Sequence, residues 1–336
     1  MIKTVQIKEL KVGMYVIIPR AWINHSFTRN QFLIKNTSQI KKMHDDGMYE
    51  LEVDFDKSNI PAKSMAAKPQ VEEQPETPEQ REMEPPAKWT QENLVPVELA
   101  EAIEDKRVDA LTKAKAVYKH SLEMMSRLLE SPSAENIHTS KDAIKSITNL
   151  ILSDDDTAYN MLRITSHDFY TYTHSVNVGV IAVMLAKDLF RHSDSHDLGE
   201  LGAGFFLHDL GKVNIDTRII NKPARLNEEE MNRIRTHPFQ GYKILKDAGA
   251  LSEECKYIVL QHHELYDGSG YPKRLKGDEI HIYGRICCLA DVFEALTAER
   301  SYKQSLPRFD ALKLMRDEMP NHFSRELLNA FILLFK

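Results

Sequence analysis

Gly202-Ala-Gly-Phe-Phe-Leu-His-Asp-Leu-Gly-Lys212 decides how the rest of the chain is read. Six residues without a polar side chain run directly into an imidazole and a carboxylate. Such a segment reads as a buried helix, and His208-Asp209 at its end is costly unless it meets a partner charge or a metal ion. Gly211 is expected to stop the helix in a left-handed conformation, which turns Lys212 back beside the pair. The same His-Asp dipeptide at 44–45, 167–168 and 196–197 stands in polar surroundings and reads as solvated surface or a helix start.

Working outward, further candidates follow at long intervals. They are His174 in Tyr172-Thr-His-Ser-Val-Asn177, His237 in Thr236-His-Pro238, His262-His263, and Asp291 among the apolar residues Leu289, Ala290, Val292 and Phe293. Each lies on, or at the end of, a separate expected helix. Zinc fingers draw ligands from short local spacings. A metal centre inside a helical bundle instead collects one ligand or pair from each of several helices. Taken singly, His174 or His237 reads as a satisfied core histidine, His262-His263 as a cationic helix cap, and Asp291 as a surface acid. Successive helix positions diverge by about 100°, so His262 and His263 converge only where the site lies at a helix end. Together, five imidazoles and two carboxylates are too many for one ion and suit two, with Asp209 bridging through both oxygens.

Composition is compatible with this reading. A length of 336 residues suggests two domains at about 150 residues each, and 42% hydrophobic residues exclude wholesale disorder. A formal charge of -6 argues against wholesale binding of DNA or anionic membranes. Ten of the 14 histidines lie at or beyond His167, an asymmetry that a metal site would explain. Cys255, Cys287 and Cys288 form no CxxC and read as small buried hydrophobes of a reducing cytoplasm. Met1-Ile-Lys-Thr-Val-Gln lacks the apolar core of a signal peptide. The longest apolar stretch, 178–186, is too short for a bilayer, so a cytoplasmic protein without a membrane span is expected.

Along the chain, residues 1–60 read as a small β-containing domain, regulatory or dimerising. Thr4-Val-Gln-Ile, Gly13-Met-Tyr-Val-Ile-Ile and Glu50-Leu-Glu-Val-Asp-Phe give strand signals, with a short helix over 38–48. Trp22 and Phe27 are expected in its core. Half of the prolines fall within 61–96, among Glu, Gln and Lys, which predicts an extended or disordered linker. Residues 97–157 read as a helical connector. Leu99, Ile103, Ala110, Leu111, Ala114, Val117, Met125 and Leu128 mark one stripe of a long helix over 98–130, which also suits a seam between two copies. Strand signals are nearly absent from 158–336, so the fold class expected is mainly α: an all-α helical bundle behind a small β-containing front domain.

The ordered set His208-Asp209-Leu-Gly-Lys212, His262-His263-Glu264, Asp267-Gly-Ser-Gly-Tyr-Pro272 and Arg285…Asp291-Val-Phe-Glu294…Arg300-Ser-Tyr-Lys303 resembles the HD-GYP family of phosphohydrolases. The front unit, with Leu10-Lys-Val-Gly-Met-Tyr-Val16, is similar to a small domain found ahead of HD-GYP domains. The resemblance implies a phosphodiesterase that cleaves cyclic di-GMP to linear pGpG, and in some members on to GMP. The alternatives are a receptor that holds this nucleotide and signals through the connector, or a hydrolase of another nucleotide. The resemblance also implies a cofactor of two divalent transition-metal ions, iron or manganese. His174, His208 and Asp291 would hold one, His237, His262 and His263 the other, with Asp209 between. A third ion would need Glu four positions before His174, where this chain has Tyr170. Lys212 would offset charge on the phosphoryl oxygens. Gly270, Tyr271 and Pro272 would line the entrance, and Glu294 would accept from a guanine edge. Arg300 and Lys303 would grip phosphate or guanine, although both also read as a solvated face. GGDEF-type or other signalling proteins are the partners implied.

Overall fold

The computed structural model describes residues 2–7, 10–17, 31–45, 50–59, 88–164, 171–222, 224–298 and 305–335. The chain divides into two units, Met1–Glu84 and Pro85–Lys336. In the first, β1 (Ile2–Gln6), β2 (Tyr15–Ile17), β3 (Gln31–Leu33) and β4 (Glu50–Asp54) form an antiparallel sheet in the order β1-β4-β2-β3, and α1 (Thr37–Asp45) precedes β4. Val5, Met14, Val16, Ile34, Met43, Leu51 and Val53 bury its small core. β3 has no alternation of its own and exists through pairing with β2, where Phe32 lies opposite Val16. Trp22 and Phe27 fall outside the described residues.

The second unit starts earlier than the proline pattern suggests. Leu94 is fully buried, and the Trp89 indole N–H donates to Glu130 Oε2 at 2.8 Å. The end of the expected linker, 88–96, is therefore folded, because Trp89 and Leu94 bring apolar surface that the stretch before them lacks.

The long helix expected over 98–130 is two helices. α2 (Val97–Glu104) and α3 (Ala110–Glu130) are separated where the Asp109 carboxylate accepts the backbone N–H groups of Leu111 and Thr112. That contact starts a helix and cannot sit inside one. Leu111 is left exposed, while Leu99, Ala114, Val117, Met125 and Leu128 are buried inside the chain. The stripe expected at a seam between copies is thus spent on this chain's own core.

α4 (Ala134–Ser153) and α5 (Asp155–Ile164) pack with α3 against α6 (Thr171–Leu189), which with α7 (Leu198–Leu207) forms the buried centre. Asp154 caps α5 by accepting from the Thr157 N–H. Then follow α8 (Thr217–Ile220), α9 (Glu228–Ile234), α10 (His237–Asp247), α11 (Glu253–Gln261), α12 (Ile282–Thr297), α13 (Arg308–Glu318) and α14 (Arg325–Leu333). Ser252 and Ser324 cap α11 and α14, and Pro307 stands one residue before α13.

Gly211 does not take a left-handed conformation. It lies in a 3-10 turn, Leu210–Asn214, and is needed for close approach: a Cβ there would meet the His237 carbonyl oxygen at 2.0 Å and the Gly241 nitrogen at 2.4 Å. His196-Asp197 is a helix start, one of the two readings given for it: the Asp197 carboxylate caps α7 by accepting the Glu200 N–H, while the half-buried His196 stacks on Phe190 with its Nδ1 2.7 Å from the Tyr283 hydroxyl. The three cysteines are buried and unpaired with one another. Among the described residues no helix is long and apolar enough to cross a membrane.

Candidate metal centre

The seven candidate ligands come from five places and meet at one point. His174 sits in the first turn of α6, His208-Asp209 at the end of α7, His237 at the start of α10, His262-His263 just past α11, and Asp291 within α12. The His262-His263 pair converges because the helix ends at Gln261, which frees both rings from the 100° divergence.

Asp209 is the hub. Its Oδ2 lies 3.3 Å from His174 Nε2 and 3.5 Å from His208 Nε2. Its Oδ1 lies 3.2 Å from His237 Nε2 and 3.8 Å from His262 Nε2. Asp291 spans the two sides, with Oδ1 3.2 Å from His174 Nε2 and Oδ2 3.4 Å from His263 Nδ1. Asp209, His237, His262 and His263 offer ligand atoms within 4.8 Å of one another, and so do His174, His208 and Asp209.

The backbone decides which nitrogen each ring presents. His208 Nδ1 donates to the Phe205 carbonyl at 2.8 Å, His237 Nδ1 to Ile234 at 2.7 Å, and His262 Nδ1 to Val259 at 2.9 Å. A carbonyl can only accept, so the Nε2 lone pairs point inward. Burial strengthens this arrangement. It holds His208 down to about 4 and His237 to about 3 against the pull of Asp209, and it lowers His262 and His263 as well. His174 goes the other way: burial opposes its charge, but Glu294, Asp209 and Asp291 together raise it well above the usual range. For Asp209, burial is outweighed by Lys212 and the neighbouring imidazoles, so its carboxyl stays charged.

The donor set fits metal ions. His237 Nε2 and His262 Nε2 face each other at 3.0 Å with neither carrying the proton, and the buried Asp209 Oδ1 has no hydrogen-bond donor. Lone pairs gathered around a buried carboxylate require a cation between them. His, Asp and no thiolate accommodate several first-row divalent ions.

Glu294 does not face the cleft. It is buried, and its Oε2 accepts from His174 Nδ1 at 2.6 Å while its Oε1 accepts from Asn177 Nδ2 at 3.1 Å. It follows Asp291 by one turn of α12 and so lies behind the ligand, where it fixes the tautomer and aim of His174. This replaces the expected contact with a guanine edge.

Lys212 donates to Asp209 Oδ2 at 2.5 Å and lines a cleft of about 890 Å³ above the ligands. Small-molecule sites commonly measure about 300–1,000 Å³. Lys222 and Arg225 add positive charge to its wall, and Ile219, Ile220, Leu226 and Met231 add apolar surface. No sequence signal had singled these out. Tyr271 lines the cleft and stacks on His263 at 4.6 Å. Gly270 and Pro272 do not line it. Gly270 is buried under the loop, where a Cβ would lie 2.3 Å from the Leu265 nitrogen, and Pro272 is exposed. Glu264, buried beside the ligand pair, accepts from the backbone of Lys273 and Leu275 and so holds the loop in place. Arg300, Lys303 and Tyr170 lie outside the described residues.

A family model described as "HD domain" matches residues 156–327, half of the chain. A second, for a domain of unknown function (DUF3391), matches 2–139. A cyclic di-GMP phosphodiesterase from Pseudomonas aeruginosa is 28% identical over 337 residues, covering 99% of this chain and 76% of its own length. A 3'3'-cGAMP-specific phosphodiesterase from Vibrio cholerae is 40% identical over 127 residues, which are 38% of this chain and 24% of that protein. Among solved structures, an HDG"Y"P protein from Bdellovibrio bacteriovorus aligns with 100% of this chain and 99% of its own at a TM-score of 0.60 and 15% identity, a likeness of fold.

Proposed function

We propose that this chain, which belongs to the HD domain family, is of the HD-GYP branch, a metal-dependent phosphodiesterase that hydrolyses cyclic di-GMP to pGpG. The observation that carries the reading is Asp209, a buried carboxylate whose two oxygens face two separate sets of imidazoles at the floor of a cationic cleft. When bound there, divalent ions supply Lewis-acid polarisation of a phosphodiester and lower the pKa of water. Iron or manganese is the proposed pair, since no thiolate in the donor set demands zinc.

This chain's own residues would do the rest. Lys212, Lys222 and Arg225 balance the phosphate charge, and Lys212 is placed to meet charge that develops on the phosphoryl oxygens. The apolar wall and Tyr271 give a purine ring surfaces to lie on. Arg300 and Lys303 remain proposed contacts to phosphate or guanine. GGDEF-type or other signalling proteins are the partners proposed, and the cytoplasm is the proposed location.

The test is turnover by manganese- or iron-loaded protein on cyclic di-GMP and 3'3'-cGAMP, with products separated by chromatography. Cleavage of cyclic di-GMP by the parent and none by Asp209→Asn is expected. Equal turnover by the variant would sink the assignment, and cleavage of 3'3'-cGAMP alone would move it to that nucleotide. A receptor without turnover is disfavoured by the complete ligand set, which nucleotide binding alone does not require.

A further inference from the structure

A line of buried hydrogen bonds leaves the metal centre and ends in the connector. His174 Nδ1 donates to Glu294 Oε2 at 2.6 Å, and Asn177 Nδ2 donates to Glu294 Oε1 at 3.1 Å. The Tyr118 hydroxyl donates to Asn177 Oδ1 at 2.7 Å. All four residues are buried. They stand on α6, α12 and α3, with Asn177 one turn after His174 and Glu294 one turn after Asp291.

The direction of every bond is forced. A carboxylate only accepts, so Asn177 must present its amide N–H groups to Glu294 and its carbonyl to Tyr118. The hydroxyl therefore steadies the Asn177 amide, which steadies one oxygen of Glu294, whose other oxygen aims His174. Partners behind a ligating histidine fix its orientation and affect metal affinity. Tyr118 lies outside the HD domain match at 156–327 and inside the match to the domain of unknown function at 2–139.

We propose that Tyr118 is a positioning residue for the His174 side of the metal centre, so that α3 is a working part of the site as well as its support. The inference rests on the reading of the centre as a pair of metal sites. It also makes α3 a route by which an upstream event can reach a ligand, since a shift of α3 against α6 would be felt at Asn177.

The experiment uses the full chain and manganese alone as the probe. Tyr118→Phe keeps the buried ring and removes only the hydroxyl. Titration of metal-free protein should show one of two manganese sites weakened about tenfold, with the other unchanged. Turnover at limiting manganese should fall and be restored by saturating manganese, with KM for the nucleotide unaltered. Tyr283→Phe is the control: it loses a comparable hydroxyl contact, to His196, that does not lead to a ligand, and it should bind both ions like the parent. A Tyr118→Phe protein that melts earlier but binds manganese like the parent would refute the positioning role, as would equal weakening of both sites. A parent that binds no second ion would overturn the two-site reading, and this inference with it.

Discussion

Two clusters of charge lie within the helical unit, one half-buried and one buried, and they are built on opposite plans. In one, Lys141 of α4 donates to Glu200 Oε2 at 2.9 Å and to the Ala250 carbonyl at 2.6 Å, while Lys145 meets the other Glu200 oxygen at 2.7 Å. Donors and acceptors match, and α4, α7 and the turn before α11 are tied together. In the other, Asp209, Asp291, Glu294 and five imidazoles face Lys212 as the nearby lysine, and Asp209 Oδ1 has no donor. Each holds a buried charged side chain, Lys141 in one and Asp209 in the other, so burial alone does not mark function. What separates them is the surplus of acceptors, which only an added cation can satisfy.

The largest effect should come from deleting the hub. Asp209→Asn is expected to reduce turnover to background and to lose both ions, while far-ultraviolet circular dichroism stays helical. Retention of two ions would erase the contrast between the clusters. Lys212→Ala should lower kcat about 10²–10³-fold at saturating metal if its charge acts on the phosphoryl group. A change confined to KM would make it a binding group instead. In the matched cluster, Lys141→Met should cost about 1–3 kcal/mol of stability by leaving the Ala250 carbonyl short of a donor. Chemical denaturation would read this loss, with metal content unchanged; loss of an ion would show that the clusters are coupled.

The smallest effect is one of pH. Burial works against the charge of Glu200, but Lys145, Lys141 and Ser252 outweigh it and pull the carboxyl down to about 2. Its folded pKa is depressed, so its contribution is complete above the ordinary glutamate value and is lost as pH falls from about 4.5 toward 2. In Lys141→Met that acid limb should be shallower than in the parent, as thermal melts across the window would show.

His208-Asp209 and Asp291 were legible because each ends or interrupts an apolar helix with a group that burial penalises, a local signal. His174, His237 and His262-His263 read singly as structural and stand out only as members of an ordered set of motifs. Asp109 caps α3 from within its own sequence, but the helical stripe running past it hid the break. Other features depend on partners far along the chain. Gly211 follows a helix and so suggests a left-handed stop, yet its neighbours His237 and Gly241 come from α10. Glu294 lies on the Asp291 face of α12, but only the packing of α6 decides that this face meets His174 rather than the cleft. Tyr118 is 59 residues from Asn177 and carries no pattern beyond its place on an amphipathic stripe. Position in a helix can be read locally; what that position meets cannot.

The tuck of Trp89 and Leu94 onto α3 bears on how the protein can be cut. Val117, Met124 and Leu128 of α3 and Ile137, Ile144 and Ile147 of α4 share one core with Ile181, Leu185 and Phe205. A fragment trimmed to the family match at 156–327 would discard those two helices and expose the apolar faces of α6 and α7 to water. Such a piece should aggregate on expression. One that begins just ahead of Trp89 keeps its greasy surfaces covered, and limited proteolysis should stop near the same place.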